Sequence, residues 1–458
     1  MKILKSYKFR LKPTEEQVPV LKQHGGNSRF VWNKLLEYSN NTKKNTDKYP
    51  IQSQLQKYII QLKSENDFIK ISHSQPIQIN ALRLSKTFSR AFKPEVVSER
   101  NKKIAQVNSI KDKRAKKKAL AKALNFGFPK FKSKAQAHDS IFYPQNFIIK
   151  KSRIHFPKLG WISYIKHREI EGVPKFLTIT QDGNQYFVSI TSEIEIKDKP
   201  KIGLDNANVV GIDVGLKSFA VLSNEIVIEN PRTLKKNLKK LKRESRWLSR
   251  KELKETKTKN MFGKKIKKSS KNRNKQIIKV QRLHRKVKNI RKDFLHKTTH
   301  HIITKYDGVV LENLDIKEML KKNSKAMNRS ISDVSWHEFG RQLEYKSVWN
   351  FKHFVKVDQY FPSTQICSKC GSKAHLSLKD RVYFCQNQNC KTILDRDYNA
   401  ALNLQNEGIS ILKEGYESEN NNNNTVATTG INACGLDSVE SRVKQEKRRF
   451  QHPVMVVA

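Results

Sequence analysis

Seven side chains in this 458-residue sequence have the types and spacing for metal chemistry. Cys367, Cys370, Cys385 and Cys390 follow the pattern C-x2-C-x14-C-x4-C, two close pairs separated by enough chain for a hairpin. Each pair offers two thiolates from one turn. Four thiolates make a closed tetrahedral zinc site with no open position for substrate, so the expected role is structural. Gly371 suits the tight turn after the first pair, whereas the second pair is more widely spaced and has no glycine after it. The other three are acids. Asp213 closes the apolar run Val209-Val210-Gly211-Ile212, Glu312 closes Gly308-Val309-Val310-Leu311, and Asp397 opens the last helical segment. A carboxylate ending an apolar strand is costly without a partner. Two such strands side by side bring like charges to one sheet edge, which calls for a divalent cation. Hard oxygen ligands in small number favour Mg²⁺ or Mn²⁺ over zinc. Three carboxylates around two such ions suit phosphodiester hydrolysis: one ion activates a water and the other stabilises the leaving 3′ oxygen. Each acid taken singly also fits a strand-end turn or a helix cap, and Asp395 is the expected cap of the last helix. No Gly-rich phosphate loop competes, since Gly211-x3-Gly215 is too short for either glycine fingerprint and holds an acid at its centre.

The elements that must position these residues are legible from periodicity. A strand at Tyr7–Leu11 is followed by a helix start in which Thr14 and Gln17 have capping-box spacing. Helical patterns run to about residue 125, with polar breaks near 40–50 and 64–76 and a basic helix over 99–122. Short apolar and aromatic runs around Phe147, Ile154, Trp161, Phe176 and Tyr186 alternate with Pro and Gly breaks, as in a β-barrel of short strands. Strands at Val209–Gly215 and Ser218–Leu222 precede two long basic helices, expected to pair as a hairpin through Leu234, Leu238, Leu241, Leu248, Val280, Leu283, Val287, Ile290 and Phe294. A Lys/Ser/Gly stretch around 256–272 would join them. A strand ending at Glu312, a helix carrying Trp336, Phe339 and Leu343, and a strand at Phe354–Val357 follow. Beyond about 410 the Asn run and sparse apolar content predict a disordered tail, with Cys434 an idle thiol.

Charge narrows the partners. Lys and Arg number 92 against 42 Asp and Glu, a net +50, or about one excess positive charge per nine residues. Residues 231–300 alone carry 28 Lys and Arg against four acids. Such an excess repels itself unless a polyanion neutralises it, and nucleic acid is the natural candidate. No stretch approaches the ~18 apolar residues of a membrane span, and the start lacks a signal peptide's apolar run. Four clustered cysteines predict a reducing compartment. The expectation is a cytoplasmic or nucleoid protein, nuclear in a eukaryotic host, without membrane partners.

These residues resemble the TnpB-type transposon-encoded RNA-guided nucleases, relatives of the type V CRISPR effectors, over about residues 1–404. The resemblance rests on Tyr7-Lys8-Phe9-Arg10-Leu11-Lys12-Pro13-Thr14, Arg29-Phe30-Val31-Trp32-Asn33, Pro129-Lys130-Phe131-Lys132-Ser133-Lys134 and Phe156-Pro157-Lys158-Leu159-Gly160. Its core is Gly211-Ile212-Asp213-Val214-Gly215, Leu311-Glu312-Asn313-Leu314, the cysteine ribbon, and Asp395-Arg396-Asp397-Tyr398-Asn399-Ala400-Ala401. It implies a multi-domain α+β protein. A wedge-like β-barrel (1–20 and 126–200) would carry an inserted helical domain (21–125). An RNase H-like, RuvC-type α/β nuclease domain (201–366 and 391–410) would carry the basic hairpin 231–306 and an inserted four-cysteine zinc ribbon (367–390), with a tail at 411–458. It further implies that Asp213, Glu312 and Asp397 are catalytic, and that a guide RNA and a target DNA with a short adjacent motif are partners. On the residues alone two other readings stay open: a guide-independent RuvC-like nuclease on branched or single-stranded DNA, and a basic nucleic-acid-binding protein without catalysis.

Overall fold

The computed structural model describes residues 1–421 apart from 111, 134–139, 252–253, 260–264 and 378–379. The chain divides into two compact units, Met1–Lys197 and Asp198–Ala458.

In the first unit β1 (Lys2–Lys12) leads into α1 (Gln17–Thr46). The expected capping box forms: the Thr14 amide donates to Gln17 Oε1 at 3.1 Å and the Gln17 amide to Thr14 Oγ1 at 3.3 Å. Next come α2 (Gln52–Glu65), α3 (Asp67–Lys70), α4 (Ser74–Ala91), α5 (Pro94–Asn108) and α6 (Lys113–Leu124). The basic segment 99–122, expected as one helix, is thus divided. The Asp112 carboxylate accepts the Arg114 amide and caps a new first turn. Val31, Leu35, Leu55, Ile59, Ile77 and Leu84 form the core of these helices. Two motifs of the sequence are mates here. Trp32 Nε1 donates to the Lys130 carbonyl at 3.0 Å, and Asn33 exchanges bonds with the Lys132 backbone at 3.0 and 2.8 Å.

Strands β2 (Ser140–Tyr143), β3 (Ile148–Ile149), β4 (Arg153–Phe156), β5 (Gly160–Ile165), β6 (Val173–Asp182) and β7 (Gln185–Glu195) join β1 in one antiparallel sheet of order β2-β6-β7-β1-β5-β4-β3. The expected β-barrel of short strands is an open half-barrel, with β2 and β3 at its two edges. Its edge strand β3 is two residues long. Tyr7, Phe9, Tyr143, Phe156 and Ile190 fill its core.

The second unit opens with β8 (Val209–Val214), β9 (Ser218–Leu222) and β10 (Val227–Glu229). Helix α7 (Thr233–Arg250), a ribbon of β11 (Lys254–Lys259) and β12 (Lys265–Lys268), and α8 (Lys271–Lys305) form the basic hairpin. The ribbon stands where a plain linker was expected; a Lys/Thr-rich run has no apolar alternation to announce a strand. Of the expected apolar stripe, Ile290 is exposed, while Gln276 is buried with its amide on the Glu244 carbonyl at 3.0 Å. Strand β13 (Gly308–Glu312), α9 (Ile316–Lys322), α10 (Lys325–Val334), α11 (Trp336–Trp349) and β14 (His353–Val357) follow, then β15 (Val382–Phe384), β16 (Ile393–Asp395) and α12 (Arg396–Asn421). Helix α12 runs past residue 410 into the segment expected as tail; residues 422–458, with Cys434, lie outside the described residues.

The sheet of this unit has order β10-β9-β8-β13-β14, antiparallel through β10, β9 and β8 and parallel from β8 through β13 to β14. Both faces of β8 and β13 are covered, which explains their unbroken apolar runs. Leu295 and Ile302 of α8 and Phe339 and Leu343 of α11 pack with Ile212, Phe219, Val309 and Leu311 on one side. Leu404 of α12 packs with Val209, Val310 and Val357 on the other.

Candidate active site and metal centre

Parallel pairing of β8 with β13 sets Ile212 opposite Leu311, so the next residue on each strand, Asp213 and Glu312, emerges at the same sheet edge. The third acid comes from the helix packed across that sheet. Asp395 caps it as expected, its Oδ1 accepting the amides of Asp397 at 2.9 Å and Tyr398 at 3.1 Å, which places Asp397 in the first turn.

Two glycines let this helix lie against the strands. A Cβ on Gly211 would come within 2.0 Å of the Ala401 carbonyl oxygen and 2.6 Å of the Gln405 amide nitrogen, both backbone atoms of α12. A Cβ on Gly408 would meet Val310 at 2.3 Å. The glycine two residues before Asp213 therefore fixes the distance from the strand of one acid to the helix of another. Gly211→Ala is expected to destabilise the chain by about 3 kcal/mol, the upper end of ordinary overpacking, and to lower any cleavage activity with it. Thermal unfolding of the purified variant checks this; an unchanged midpoint would mean that the helix is free to slide.

The three acids feel one another. Burial, then the carboxylates of Asp397 and Glu312, push the Asp213 pKa up to about 7, and burial also raises Glu312. Asp397 is drawn elsewhere: the Arg396 guanidinium lies 3.3 Å from its Oδ1 and Arg381 of the cysteine ribbon 3.9 Å from its Oδ2. Among the described residues, the cysteines are the set of three or more metal-ligating side chains gathered within one ion's reach; the acids stand further apart. That is the physics of three like charges with two arginines as counter-charges. A cleft beside Glu312 of about 140 Å³ is lined by Val214, Asn313, Trp336, His337, Arg341 and Lys356. Arg381 and Arg396 were absent from the expected site residues; the alternation Asp395-Arg396-Asp397 was the available signal.

The cysteines meet a stricter test. Their ligand atoms all lie within 4.8 Å of one another, with Cys367 and Cys390 at 3.8 Å and Cys370 and Cys385 at 3.5 Å between sulfurs. Zn–S bonds of about 2.3 Å in a tetrahedron require sulfurs about 3.8 Å apart, so the residues fit zinc. The Thr392 hydroxyl, 3.0 Å from Cys390 Sγ, lowers the pKa of that thiol, while burial raises that of Cys385. Gly371 takes φ +74° after the first pair, and Lys391 takes φ +47° after the second, so a lysine makes the turn that a glycine makes in the first knuckle. The ribbon is tied to α12: Asn399 accepts the Ser368 amide at 3.0 Å and donates to the Ile366 carbonyl at 2.7 Å, and Asn403 donates to the carbonyls of Ser363 at 2.7 Å and Ile366 at 2.6 Å.

Comparison with known proteins came to the same regions. Residues 193–323 match the OrfB_IS605 family, described as "Probable transposase", and residues 336–404 match the "Cas12f1-like, TNB domain". Residues 1–48 match a family described as "Helix-turn-helix domain", although here they form a strand and one long helix. A protein of Escherichia coli K12, InsQ, provisionally named an RNA-guided DNA endonuclease, is 31% identical over 430 residues, 90% of this chain and 94% of its own length. One of Streptomyces pristinaespiralis, with the same provisional name, is 27% identical over 416 residues, 89% of this chain and 90% of its own. Among solved structures, the Cas12f1–sgRNA–target DNA complex covers 88% of this chain and 99% of its own at 16% identity, with a TM-score of only 0.29.

Proposed function

The chain belongs to the TnpB-type family, and on that premise we propose that it is an RNA-guided, divalent-metal-dependent DNA endonuclease with a RuvC-like nuclease domain. The observation that carries the reading is the convergence of Asp213, Glu312 and Asp397 from two adjacent parallel strands and the helix packed on them. Three neighbouring carboxylates, one pushed up to about 7, repel one another and suit cations. The strand order β10-β9-β8-β13-β14 is consistent with an RNase H-like domain.

Asp213, Glu312 and Asp397 would hold two Mg²⁺ or Mn²⁺ ions, which when bound supply an activated water and charge neutralisation at the leaving oxygen. Around them the chain's own groups have separate tasks. Burial and its two acidic neighbours favour the protonated form of Asp213, and a bound cation would favour its carboxylate instead. Arg396 and Arg381 hold Asp397, and both guanidiniums could also meet a phosphate beside it. His337, Arg341 and Lys356 line the cleft beside Glu312 with groups that attract a polyanion. The four cysteines would hold zinc and, through Asn399 and Asn403, seat the helix of Asp397. A guide RNA would select the DNA by base pairing, the protein reading a short motif beside the target.

Both relatives carry names that assign them RNA-guided DNA cleavage, and the +50 charge suits an RNA and a DNA together. The test is to sequence RNA that co-purifies with the chain, and then to offer it DNA matching the guide segment. Cleavage with Mg²⁺ only of the matched DNA is expected. Equal cleavage after the RNA is removed would favour the guide-independent alternative.

A further inference from the structure

The cleft of about 140 Å³ beside Glu312 has an apolar lining that the chemistry of the three acids does not require. Val214 of β8, Leu311 of β13, Leu314, Ile316 of α9 and Phe339 of α11 supply it, together with the ring of Trp336 at the start of α11. Trp336 is 6% exposed, and its Nε1 has no hydrogen-bond partner. A buried indole N–H is normally paired, so one left without an acceptor in the wall of a cleft suits a ligand that brings an acceptor. Asn313 and His337, both exposed, add polar groups to the same lining.

The cations of this cleft are already matched. Lys356 Nζ donates to Glu344 Oε2 at 2.7 Å, and Arg341 grips Glu338 through Nε and one Nη at 2.8 Å each. Glu312 adds a further acid to the lining. A phosphate inside the cleft would face that carboxylate and two cations with acids of their own, which disfavours it; an uncharged flat group escapes the penalty. Size narrows the choice, since an apolar cavity of about 150 Å³ takes one benzene-sized ring. Among the parts of a nucleic acid a pyrimidine matches: one six-membered ring, a carbonyl acceptor for the indole N–H, and faces that gain from an aromatic neighbour. A purine has a second fused ring. A base is joined to its own phosphate through a single sugar, so a phosphate held by the acids would carry its base to a wall that includes Glu312. Entry requires that the base be unpaired or turned out of its stack.

We propose that this cleft takes the unpaired pyrimidine base of the nucleotide being cut, which makes the nuclease selective for the base at the point of scission. The inference rests on the proposed cutting role of Asp213, Glu312 and Asp397 and adds a preference to it. The test uses the full chain with its co-purified RNA, Mg²⁺ and saturating matched DNA. Once the cut in the strand that does not pair with the guide has been mapped, the nucleotides on either side of it are made pyrimidine, purine or abasic, the guide-paired strand being left unchanged. Wild type is expected to cut the pyrimidine strand about tenfold faster than either of the others, the worth of one buried base. Gly340 also lines the cleft, and a Cβ on it would come within 3.1 Å of Leu311 Cδ2, so Gly340→Ala narrows the space without removing a polar group. This variant is expected to erase the tenfold difference. Trp336→Phe, which keeps a ring but loses the N–H, should lower the pyrimidine rate more than the abasic rate. Wild-type rates that do not differ among the three strands, or equal slowing of all three by both variants, would overturn the proposal and leave a structural cleft. A wild-type chain that cuts none of the strands would contradict the cutting role itself and remove the assignment of the cleft with it.

Discussion

Asp213→Asn is expected to lose cleavage by about a thousandfold while the metal-free protein becomes more stable than wild type above neutral pH. The loss follows from the several kcal/mol of charge stabilisation that a properly held metal supplies, since an amide oxygen is a poor substitute for a carboxylate facing a divalent ion. Nucleic-acid affinity is expected to hold or rise, because a negative charge facing phosphate has gone. The stability gain has a definite sign. Asp213 has a folded-state pKa of about 7 against the ordinary carboxylate value near 4. Between those values the folded state keeps a proton that the unfolded state has released, so wild-type stability falls as pH rises through that window. Above it, the full difference of about three pH units corresponds to up to about 4 kcal/mol. The side-chain amide of the variant has no proton to lose. Unfolding with a chelator present should therefore show the variant ahead at pH 8 and level with wild type at pH 4. Equal stability at both pH values, or cleavage near the wild-type rate, would remove Asp213 from the site.

The second large effect concerns zinc. Cys370→Ser, or exhaustive chelation followed by excess Mg²⁺, is expected to leave the chain without zinc and without cleavage. Structural zinc in small thiolate sites contributes on the order of 10–16 kcal/mol to the fold around it, and the hydrophobic cluster of the ribbon is small, built on Ala374 and Tyr383 beside the cysteines. Losing the metal should free the segment that presents Ser363 and Ile366 to Asn403 and Ile366 and Ser368 to Asn399. Asp397 would lose its seat with them. Elemental analysis beside a cleavage assay reads both; a zinc-free chain that cleaves normally would show the ribbon to be dispensable for the acids.

How much of this was legible beforehand differs by physical scale. Strands ending in Asp213 and Glu312 were readable because both of their faces are buried, which leaves an apolar run broken by one acid. The caps at Asp395 and at Thr14 with Gln17 were readable because capping is local. What depends on a distant neighbour was not. Gly211 looked like part of a short glycine motif, and its requirement appears only once α12 is laid against it. The break at Asp112, inside a run of helix-favouring residues, turned on one side chain capturing one amide. Arg381 beside Asp397 is the product of a chain crossing that no spacing rule encodes.

Anomalous diffraction from crystals of the chain grown with Mn²⁺ bears on the acids most directly. Two manganese peaks about 4 Å apart, bridged by carboxylate oxygens of Asp213, Glu312 and Asp397 with Asp397 turned away from Arg396, are predicted. Manganese bound elsewhere, with Asp397 still held by Arg396 and its oxygens more than about 8 Å from those of Asp213, wider than a two-ion span, would contradict a metal-dependent nuclease built on these three residues.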